Sequence, residues 1–353
     1  MDFFNTPVHT WFALNKRDLP WRNTTDPYKI WLSEVILQQT RIDQGLSYYY
    51  HFVDEFPTVT DLANAPEDKI LKCWQGLGYY SRARNLHATA KLISEKYKGV
   101  FPSEYKDILA LKGIGEYTAA AIASISFGLE YPTIDGNVFR VLSRFFGIDD
   151  PIDSKEGKKS FSVLAKELIK GTDPAMHNQA VMEFGALQCK PKNPDCSICP
   201  INSRCFALAN NKITDLPVKQ NKAKQRDRYF TYIVFEDRSC IYLRKRQEND
   251  IWKNLYELPF VERPGKTEPY DIVDSIDFKK NISSNALASV NTVSDWKIHI
   301  LSHQRIHFRF IEVKMTNDFK LADNIIKVNK EDIFNFAVPR LLETFLEEHL
   351  KNV

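Results

Sequence analysis

The fold of the first half of the chain is decided by residues 109–128, LALKGIGEYTAAAIASISFG. Apolar residues recur at helical spacing on both sides of a four-residue turn, which predicts helix, hairpin and helix over residues 104–128. Gly113 and Gly115 allow the backbone to turn tightly and leave N–H groups pointing outward where the second helix begins. Such groups favour an anion, and a DNA phosphate is the natural one. A plain glycine turn between two helices explains the same residues.

Helical periodicity extends from the start of the chain to about residue 210. Apolar residues recur every three or four positions in DPYKIWLSEVILQQ, ARNLHATAKLISEKY, TAAAIASISFG and SFSVLAKELIK. Gly128 and Gly147 stand where helices are expected to end. The sequence therefore predicts an all-α domain over residues 1–210.

The composition changes after this domain. Residues 211–227 are polar and mostly basic, which is typical of a linker. The period then becomes two: YFTYIVF, a turn at 237–239 and CIYLRKR predict a β-hairpin, and RIHFRFIEV predicts a half-buried strand. The last segment, EDIFNFAVPRLLETFLEEHL, predicts a helix. The second domain is therefore expected to be α+β and to span residues 228–353.

Bulk properties are those of an ordinary globular protein. The 353 residues are 43% hydrophobic and 26% charged, and the net charge is only +3. Any basic surface must therefore come from the local distribution of charge. No apolar run approaches the ~20 residues that span a bilayer, and the start lacks a secretory pattern. We expect no membrane association and an intracellular, reducing location.

A carboxylate interrupts an apolar helix in residues 31–40, WLSEVILQQT. Helical spacing places Glu34 between Trp31 and Leu37 on a helix that is apolar most of the way round. A buried carboxylate is costly unless it is paired, protonated or used. Glu34 is therefore a candidate for chemistry.

A second carboxylate precedes an apolar-periodic helix in residues 131–147, YPTIDGNVFRVLSRFFG. Asp135 has the position of a helix N-cap, which alone explains many aspartates. It is also a possible partner for Glu34, because two carboxylates in different environments are the usual equipment for breaking a glycosidic bond. One donates a proton, and the other stabilises a cationic sugar.

Four of the six cysteines crowd residues 189–205, CKPKNPDCSICPINSRC. Their spacing, C-x6-C-x2-C-x5-C, suits either tetrahedral zinc or a [4Fe–4S] cluster. Zinc ribbons normally present two C-x2-C pairs, and this segment has one. The candidate metal ligands are Cys189, Cys196, Cys199 and Cys205, whereas Cys73 and Cys240 are expected to be core residues.

Taken together, these motifs resemble those of the endonuclease III superfamily of DNA glycosylases. The segments WLSEVILQQT, GLGYYSRARNL and LKGIGEYTAA are similar to those of its adenine DNA glycosylase (MutY) family. The resemblance covers essentially the whole chain. It implies a helix–hairpin–helix glycosylase domain with a [4Fe–4S] loop, a linker and a Nudix-like (MutT-like) domain. It also implies release of adenine mispaired with 8-oxoguanine or guanine in double-stranded DNA, by a protein that we expect to be monomeric.

The resemblance also assigns site residues. Glu34 would protonate adenine and later activate water, Asp135 would stabilise the sugar cation, and Tyr117 and Asn137 would position them. Near the adenine pocket it places Trp21, Arg22 and Glu183. Contacts with the opened duplex are implied for Gln39, Thr40, Leu77 and Tyr79, although core packing is the ordinary role of such a tyrosine.

One departure from the superfamily bears on the reaction. Endonuclease III relatives carry a lysine nucleophile in the helix–hairpin–helix motif, where this chain has Tyr117. A phenol cannot form a Schiff base. The sequence therefore predicts a monofunctional glycosylase, which leaves an abasic site.

The resemblance implies that the C-terminal domain reads 8-oxoguanine. WKNLYELPF is similar to a Nudix strand and turn, but no glycine-led, glutamate-rich helix follows, so phosphohydrolase activity is not expected. The lesion-reading loop is Leu301, Ser302 and His303. Leu301 replaces the family's phenylalanine, and a stacking contribution of ~1–3 kcal/mol is then lost.

Other functions fit parts of this pattern. A thymine or oxidised-pyrimidine glycosylase of the same superfamily would not explain SEVILQQT together with the extra domain. A non-catalytic lesion sensor would not require both Glu34 and Asp135. A zinc-dependent regulator would give the two carboxylates no role.

Overall fold

The computed structural model describes residues 1–220, 225–237, 239–282, 288–315 and 321–351. The chain forms two compact units: Met1–Asn64 with Asn85–Asn221, and Ala65–Arg84 with Lys222–Val353. The predicted domain boundaries follow chain order, whereas the segment 65–84 is separated from its sequence neighbours and packs with the C-terminal half.

The first half of the chain is helical, as predicted. Its α-helices are α1 (Asp2–Asn15), α2 (Pro27–Leu37), α3 (Ile42–Glu55), α4 (Val59–Asn64), α5 (Glu67–Cys73), α6 (Ser81–Lys96), α7 (Tyr105–Leu109), α8 (Glu116–Phe127), α9 (Gly136–Phe146), α10 (Lys155–Ile169), α11 (Pro174–Leu187) and α12 (Phe206–Ala209). Short 3₁₀ helices form at Pro20–Arg22 and Asn202–Arg204. None of the helices in the described residues has the length and apolar character that a membrane span requires.

The local sequence explains where these helices begin and end. Gly128 and Gly147 follow α8 and α9 in the left-handed conformation, with φ of 67° and 74°, which confirms the predicted helix ends. Four helices begin at a side chain that accepts hydrogen bonds from backbone N–H groups of the first turn, the N-cap arrangement. These N-caps are Asp26, Asp135, Ser154 and Asp173.

The core of the first unit holds α1, α9, α10 and α11 together. Its buried members are Phe4, Val8, Phe12, Val138, Val141, Leu142, Phe145, Phe161, Ala165, Leu168, Ala180, Val181, Phe184 and Ile201. Each large apolar side chain removed from water contributes roughly 1.5–3 kcal/mol. Three of the clustered cysteines, Cys189, Cys199 and Cys205, pack against this core. The core therefore fixes the cysteine loop relative to α9 and α11.

The second unit contains two sheets. Its strands are β1 (Arg226–Val234), β2 (Cys240–Lys245), β3 (Tyr256–Glu257), β4 (Phe260–Arg263), β5 (Ala288–Val293), β6 (Lys297–Ile300), β7 (Gln304–Met315) and β8 (Ile325–Asn329). One sheet has the order β4-β1-β7-β5 with β6 also paired to β7, and the other has the order β3-β2-β8. Helices α13 (Pro269–Val273), α14 (Ile276–Lys279) and α15 (Arg340–Lys351) complete the unit, and the predicted α+β class is confirmed.

The predicted hairpin of β1 and β2 is confirmed next to its turn, where Glu236 and Ile241 form an antiparallel bridge and Asp237 N donates to Cys240 O at 3.0 Å. Residues 235 and 242 also approach each other, with Tyr242 N donating to Phe235 O at 3.1 Å, but Arg238 of the predicted turn lies outside the described residues. The body of β1 instead pairs in parallel with β7, from Arg226 opposite Gln304 to Val234 opposite Glu312. β1 is mostly buried, so it belongs in the interior of a sheet rather than in an isolated hairpin.

Two predicted boundaries also differ. Strand β1 begins at Arg226, two residues inside the predicted linker. The helix predicted over residues 331–350 is divided into a 3₁₀ helix at Lys330–Asn335, an extended stretch and α15. Pro339 explains the division, because proline disfavours a helical conformation in the residue before it and has no N–H to donate.

Candidate active site

Glu34 lies on α2 among buried neighbours. Trp31, Leu32, Ser33, Val35 and Ile36 of this helix are buried, and Glu34 itself is partly exposed. Burial raises the pKa of Glu34 from 4.5 to about 7; its hydrogen bond with Tyr117 lowers the pKa, and the charge of Asp135 raises it. Close to neutral pH, this carboxyl group therefore holds its proton about half of the time.

Asp135 is held at the start of α9. Its Oδ1 accepts hydrogen bonds from Asn137 N at 2.9 Å and Val138 N at 2.8 Å, and its Oδ2 accepts from Asn137 Nδ2 at 2.7 Å. Burial raises the pKa of Asp135, whereas these hydrogen bonds and the charge of Arg140 lower it. Asp135 is therefore an N-cap, as its position suggested, and also a carboxylate held in a fixed orientation.

Tyr117 contacts Glu34 and lies close enough to Asp135 to be affected by its charge. It is hydrogen-bonded to Glu34, and its hydroxyl lies 3.3 Å from Met182 Sδ. Burial and the negative charges of Glu34 and Asp135 raise the pKa of Tyr117 well above 10. The structure thus brings together α2, α8 and α9, which carry three of the predicted catalytic residues.

Arg140 links this site to the cysteine loop, and sequence reasoning missed it. Its Nη2 donates to Asn137 Oδ1 at 2.8 Å and to Gly185 O at 2.6 Å, and its Nε donates to Cys189 O at 2.7 Å. The only sequence indication is an arginine on the apolar-periodic α9. Gly185 allows α11 to pack closely against Asn137, because a Cβ at position 185 would lie only 2.8 Å from Asn137 O.

Glu183 is the centre of a separate charged cluster. Its side chain is 2% exposed and accepts hydrogen bonds from Arg17 Nη2 at 2.6 Å and Arg22 Nη2 at 2.8 Å. Burial alone would raise the pKa of Glu183, but the hydrogen bonds from both arginines outweigh it and lower the pKa to about 2. Trp21 is buried, and its ring packs edge-on against Tyr49 at 5.1 Å. The sequence missed Arg17, which packing alone brings to Glu183.

The helix–hairpin–helix turn is exposed and open. Gly113 has a φ of 78°, and a Cβ there would lie 2.7 Å from Asn85 Cβ, so glycine is required. Gly115 caps α8 without a side-chain hydrogen bond, and a Cβ at this position meets nothing within 4 Å. Helix α8 therefore presents its first N–H groups at an accessible surface, which suits an anion.

The predicted duplex contacts fall on turns. In the first unit, Gln39 and Thr40 follow the end of α2, and Gln39 is exposed with a φ of 58°. In the second unit, Leu77 is buried, whereas Tyr79 is 44% exposed. The Tyr79 hydroxyl contacts Ser302 Oγ, so the structure brings these two predicted residues together.

The loop that the sequence predicts to read 8-oxoguanine is the turn between β6 and β7. Leu301 N donates to Gln304 O at 2.8 Å, and Arg226 N donates to His303 O at 3.0 Å. Ser302 and His303 are exposed, and Leu301 is partly buried. Two polar side chains are therefore presented at the tip of a hairpin.

The four clustered cysteines line one pocket, together with Arg144 and apolar side chains of α9 and α11. Among the described residues, no three His, Cys, Asp or Glu side chains lie close enough together to hold a single metal ion. Burial raises the pKa of Cys199 to about 11, and Arg144 Nη1 donates to Cys189 Sγ at 3.5 Å. An all-sulfur donor set around this pocket suits an iron–sulfur cluster.

Family models match three parts of the chain. Residues 32–167 match the HhH-GPD superfamily base excision DNA repair protein, residues 189–205 match the iron-sulfur binding domain of endonuclease III, and residues 230–348 match the NUDIX domain. The predicted order of glycosylase domain, iron–sulfur loop and Nudix-like domain is confirmed.

Curated relatives match over most of the chain. An adenine DNA glycosylase from Buchnera aphidicola subsp. Baizongia pistaciae is 37% identical over 346 residues, which cover 96% of this chain and 93% of the relative. The adenine DNA glycosylase of Homo sapiens is 39% identical over 213 residues, covering 58% of this chain and 39% of the human protein.

Two solved structures match more than half of the chain. A thermostable thymine-DNA glycosylase has a TM-score of 0.55 and 30% identity, covering 59% of this chain and 95% of that chain. A trapped endonuclease III–DNA covalent intermediate has a TM-score of 0.51 and 20% identity, and the match covers 58% of this chain and 94% of that chain. The second similarity shows a shared fold.

Proposed function

Because the chain belongs to the adenine DNA glycosylase family, we propose that it hydrolyses the N-glycosidic bond of adenine mispaired with 8-oxoguanine or guanine in double-stranded DNA. The protein is a base excision repair glycosylase that binds DNA and carries an iron–sulfur segment. One observation supports the proposal that this chain removes adenine. The pKa of Glu34 is raised, and the charge of nearby Asp135 is one of the causes. We place the protein in the cytoplasm, at the nucleoid, as a monomer.

The proposed reaction begins with Glu34. Adenine leaves readily only when a ring nitrogen carries a proton, and the Glu34 carboxyl group supplies that proton. The bond between the sugar C1′ and adenine then breaks, and its electron pair leaves with the base. Glu34, now ionised, takes a proton from the water that attacks C1′, which restores the acid and completes hydrolysis.

Asp135 is proposed to stabilise the positive charge that develops on the sugar. A carboxylate fixed by three short hydrogen bonds needs little reorganisation as that charge appears. Asn137 and, through it, Arg140 hold the carboxylate in place. Tyr117 positions Glu34 and offers no amine to the sugar.

Release of adenine is expected to leave the DNA strand intact. Without an amine at position 117, no Schiff base forms with the opened sugar. Borohydride added during turnover should trap no covalent protein–DNA complex, and strand breaks should appear only after treatment with hot alkali. Efficient trapping at an enzyme amine would contradict a monofunctional mechanism.

DNA binding is proposed to involve both units. The exposed N–H groups at Gly113 and Gly115 would hold a backbone phosphate. The target adenine must leave the stack. Gln39 and Thr40 of the first unit, and Leu77 and Tyr79 of the second, would each contact the opened duplex. Trp21, Arg22 and Glu183 would border the extruded base. The exposed ring of Tyr79 supports its part in this proposal.

Residues 189–205 are proposed to bind a [4Fe–4S] cluster through Cys189, Cys196, Cys199 and Cys205. The bound cluster would supply structural iron–thiolate bonds that shape the loop. Lys190, Lys192 and Arg204 of this loop would then meet the phosphate backbone. Arg144 supports the loop by donating to Lys190 O at 2.8 Å.

The hairpin tip at Ser302 and His303 is proposed to recognise 8-oxoguanine opposite adenine. Under single-turnover conditions we expect faster release of adenine opposite 8-oxoguanine than opposite guanine. Ser302→Ala should reduce this ratio about threefold to tenfold, the effect of one lost hydrogen bond. Exposed Ser289→Ala, on β5 of the same unit, is the matched control. Equal rates for the two duplexes in the wild type would reject the recognition role.

A thymine glycosylase is the one alternative that a comparison favours, through the thymine-DNA glycosylase at 30% identity. That similarity covers 59% of this chain, whereas the adenine DNA glycosylase from Buchnera aphidicola subsp. Baizongia pistaciae matches 96% of it. The substrate is therefore tested with adenine opposite each base and with thymine opposite guanine. Release of adenine, and not of thymine, is the expected result.

A further inference from the structure

Residues 65–84 are held by side chains of the C-terminal half within the second unit. Lys245 Nζ lies 2.5 Å from Asp68 Oδ1, and the Tyr256 hydroxyl donates to Asp68 Oδ2 at 3.2 Å. At the other end, Arg84 Nη1 donates to Lys253 O at 2.9 Å. The segment that carries Tyr79 is therefore fastened at both ends.

Gln75, directly before the loop at residues 76–80, contacts the C-terminal half through its side-chain amide. Its Nε2 donates to Glu343 Oε1 at 2.6 Å, and its Oε1 accepts from Val338 N at 3.2 Å and from Lys72 Nζ at 3.1 Å. Glu343 also accepts from Arg340 Nη1 at 2.6 Å, which fixes the carboxylate that Gln75 contacts. Both ends of the Gln75 amide are thus used, and its orientation is defined.

The loop that follows Gln75 has an unusual backbone and several contacts of its own. Gly76, Gly78 and Tyr79 all have positive φ, at 96°, 70° and 46°. Trp74 Nε1 donates to Gly78 O at 3.0 Å, and the Arg82 guanidinium lies 5.6 Å from the Tyr79 ring centroid. The Tyr79 hydroxyl also contacts Ser302 Oγ, so Gln75 holds the start of the loop and Ser302 contacts its exposed side chain.

We propose that Gln75 is a positioning residue, through which Glu343 and Val338 aim the Tyr79 loop at the duplex. The proposal rests on the function proposed above, because it takes Tyr79 as the side chain that enters the opened stack. It adds that residues 338–343, far from the lesion-reading hairpin in sequence, control how well adenine is extruded.

The test uses an exchange of the two contacting groups in the full-length protein. Gln75→Glu places two carboxylates against each other, and Gln75→Glu with Glu343→Gln restores one donor and one acceptor with the positions reversed. Gln247→Glu, an exposed site in the same unit, is the matched control for the added charge. Extrusion is followed by the fluorescence of 2-aminopurine next to the target adenine, and release by single-turnover assays.

Gln75→Glu should lower both extrusion and the release rate about tenfold, because a charged hydrogen bond is replaced by repulsion. The double exchange should recover both to within about threefold, and Gln247→Glu should change neither. The pH at which the release rate halves should be the same in all variants, because Glu34 is untouched.

Other outcomes would overturn the proposal. Equal effects of Gln75→Glu and Gln247→Glu would show that Gln75 does not aim the loop. Recovery of the melting temperature by the double exchange, without recovery of extrusion, would show the same. A loss that follows the folded fraction alone would assign Gln75 a structural role. A wild-type protein that extrudes adenine without releasing it would instead contradict the proposed function, and the fluorescence comparison would still decide the role of Gln75.

Discussion

Glu34→Gln is expected to abolish adenine release and to preserve binding to the mismatch. The amide has nearly the shape of the carboxyl group but has no acidic proton to donate, and a general acid contributes about 10²–10⁴ in rate. Release by Glu34→Gln should therefore fall by about that factor in single-turnover assays, whereas affinity measured by titration of labelled duplex should change little.

The matched control for this substitution is Glu95→Gln, at an exposed position of α6. It should release adenine at the wild-type rate. If Glu34→Gln releases adenine at a rate within tenfold of the wild-type rate, the Glu34 carboxyl group is not the general acid. If the wild type binds the mismatch and releases nothing, the protein is a lesion sensor.

The same variant should be more stable at alkaline pH. Folding raises the pKa of Glu34 from 4.5 to about 7, so the stability that it contributes is lost as the pH rises through this range. Glu34→Gln removes that dependence and should stabilise the protein at pH 8 by up to roughly 3 kcal/mol. Chemical denaturation at pH 5 and pH 8 measures the difference.

Asp135→Asn is expected to have the second largest effect. Asparagine is as good an N-cap as aspartate, so α9 should keep its start and the protein its fold. The negative charge facing the sugar is lost, and removing one electrostatic contact of this kind costs about 10²–10³ in rate. Single-turnover release should fall by that factor, with mismatch affinity nearly unchanged.

Asp173→Asn makes the same change at the N-cap of α11 and is the control. It should leave the release rate unaltered, which separates the charge at Asp135 from the cap that it provides. An unchanged rate in Asp135→Asn would mean that the carboxylate serves only to start α9.

Much of the helical domain could be predicted because its determinants are local. Gly128 and Gly147 end helices by their own backbone freedom, and Asp135 starts one with its own side chain. The four cysteines are close in sequence, so their spacing alone indicated a metal site. Glu34 was conspicuous because an acid interrupts an apolar helix.

The features that the sequence did not predict are those that depend on distant partners. The parallel pairing of β1 with β7 joins residues about 80 positions apart, which local alternation does not encode. Arg17 and Arg140 look like ordinary surface arginines until packing brings them to Glu183 and Asn137. The attachment of residues 65–84 to the C-terminal half is likewise set by tertiary contacts.

The most direct measurement of the central claim is the pH dependence of single-turnover adenine release by the wild type at saturating protein. With a pKa of about 7 for Glu34, the rate should be about tenfold lower at pH 8 than at pH 6. At lower pH it should fall again as Asp135 takes up a proton. A rate that is the same from pH 6 to pH 8, or that rises over this range, would contradict proton donation by Glu34.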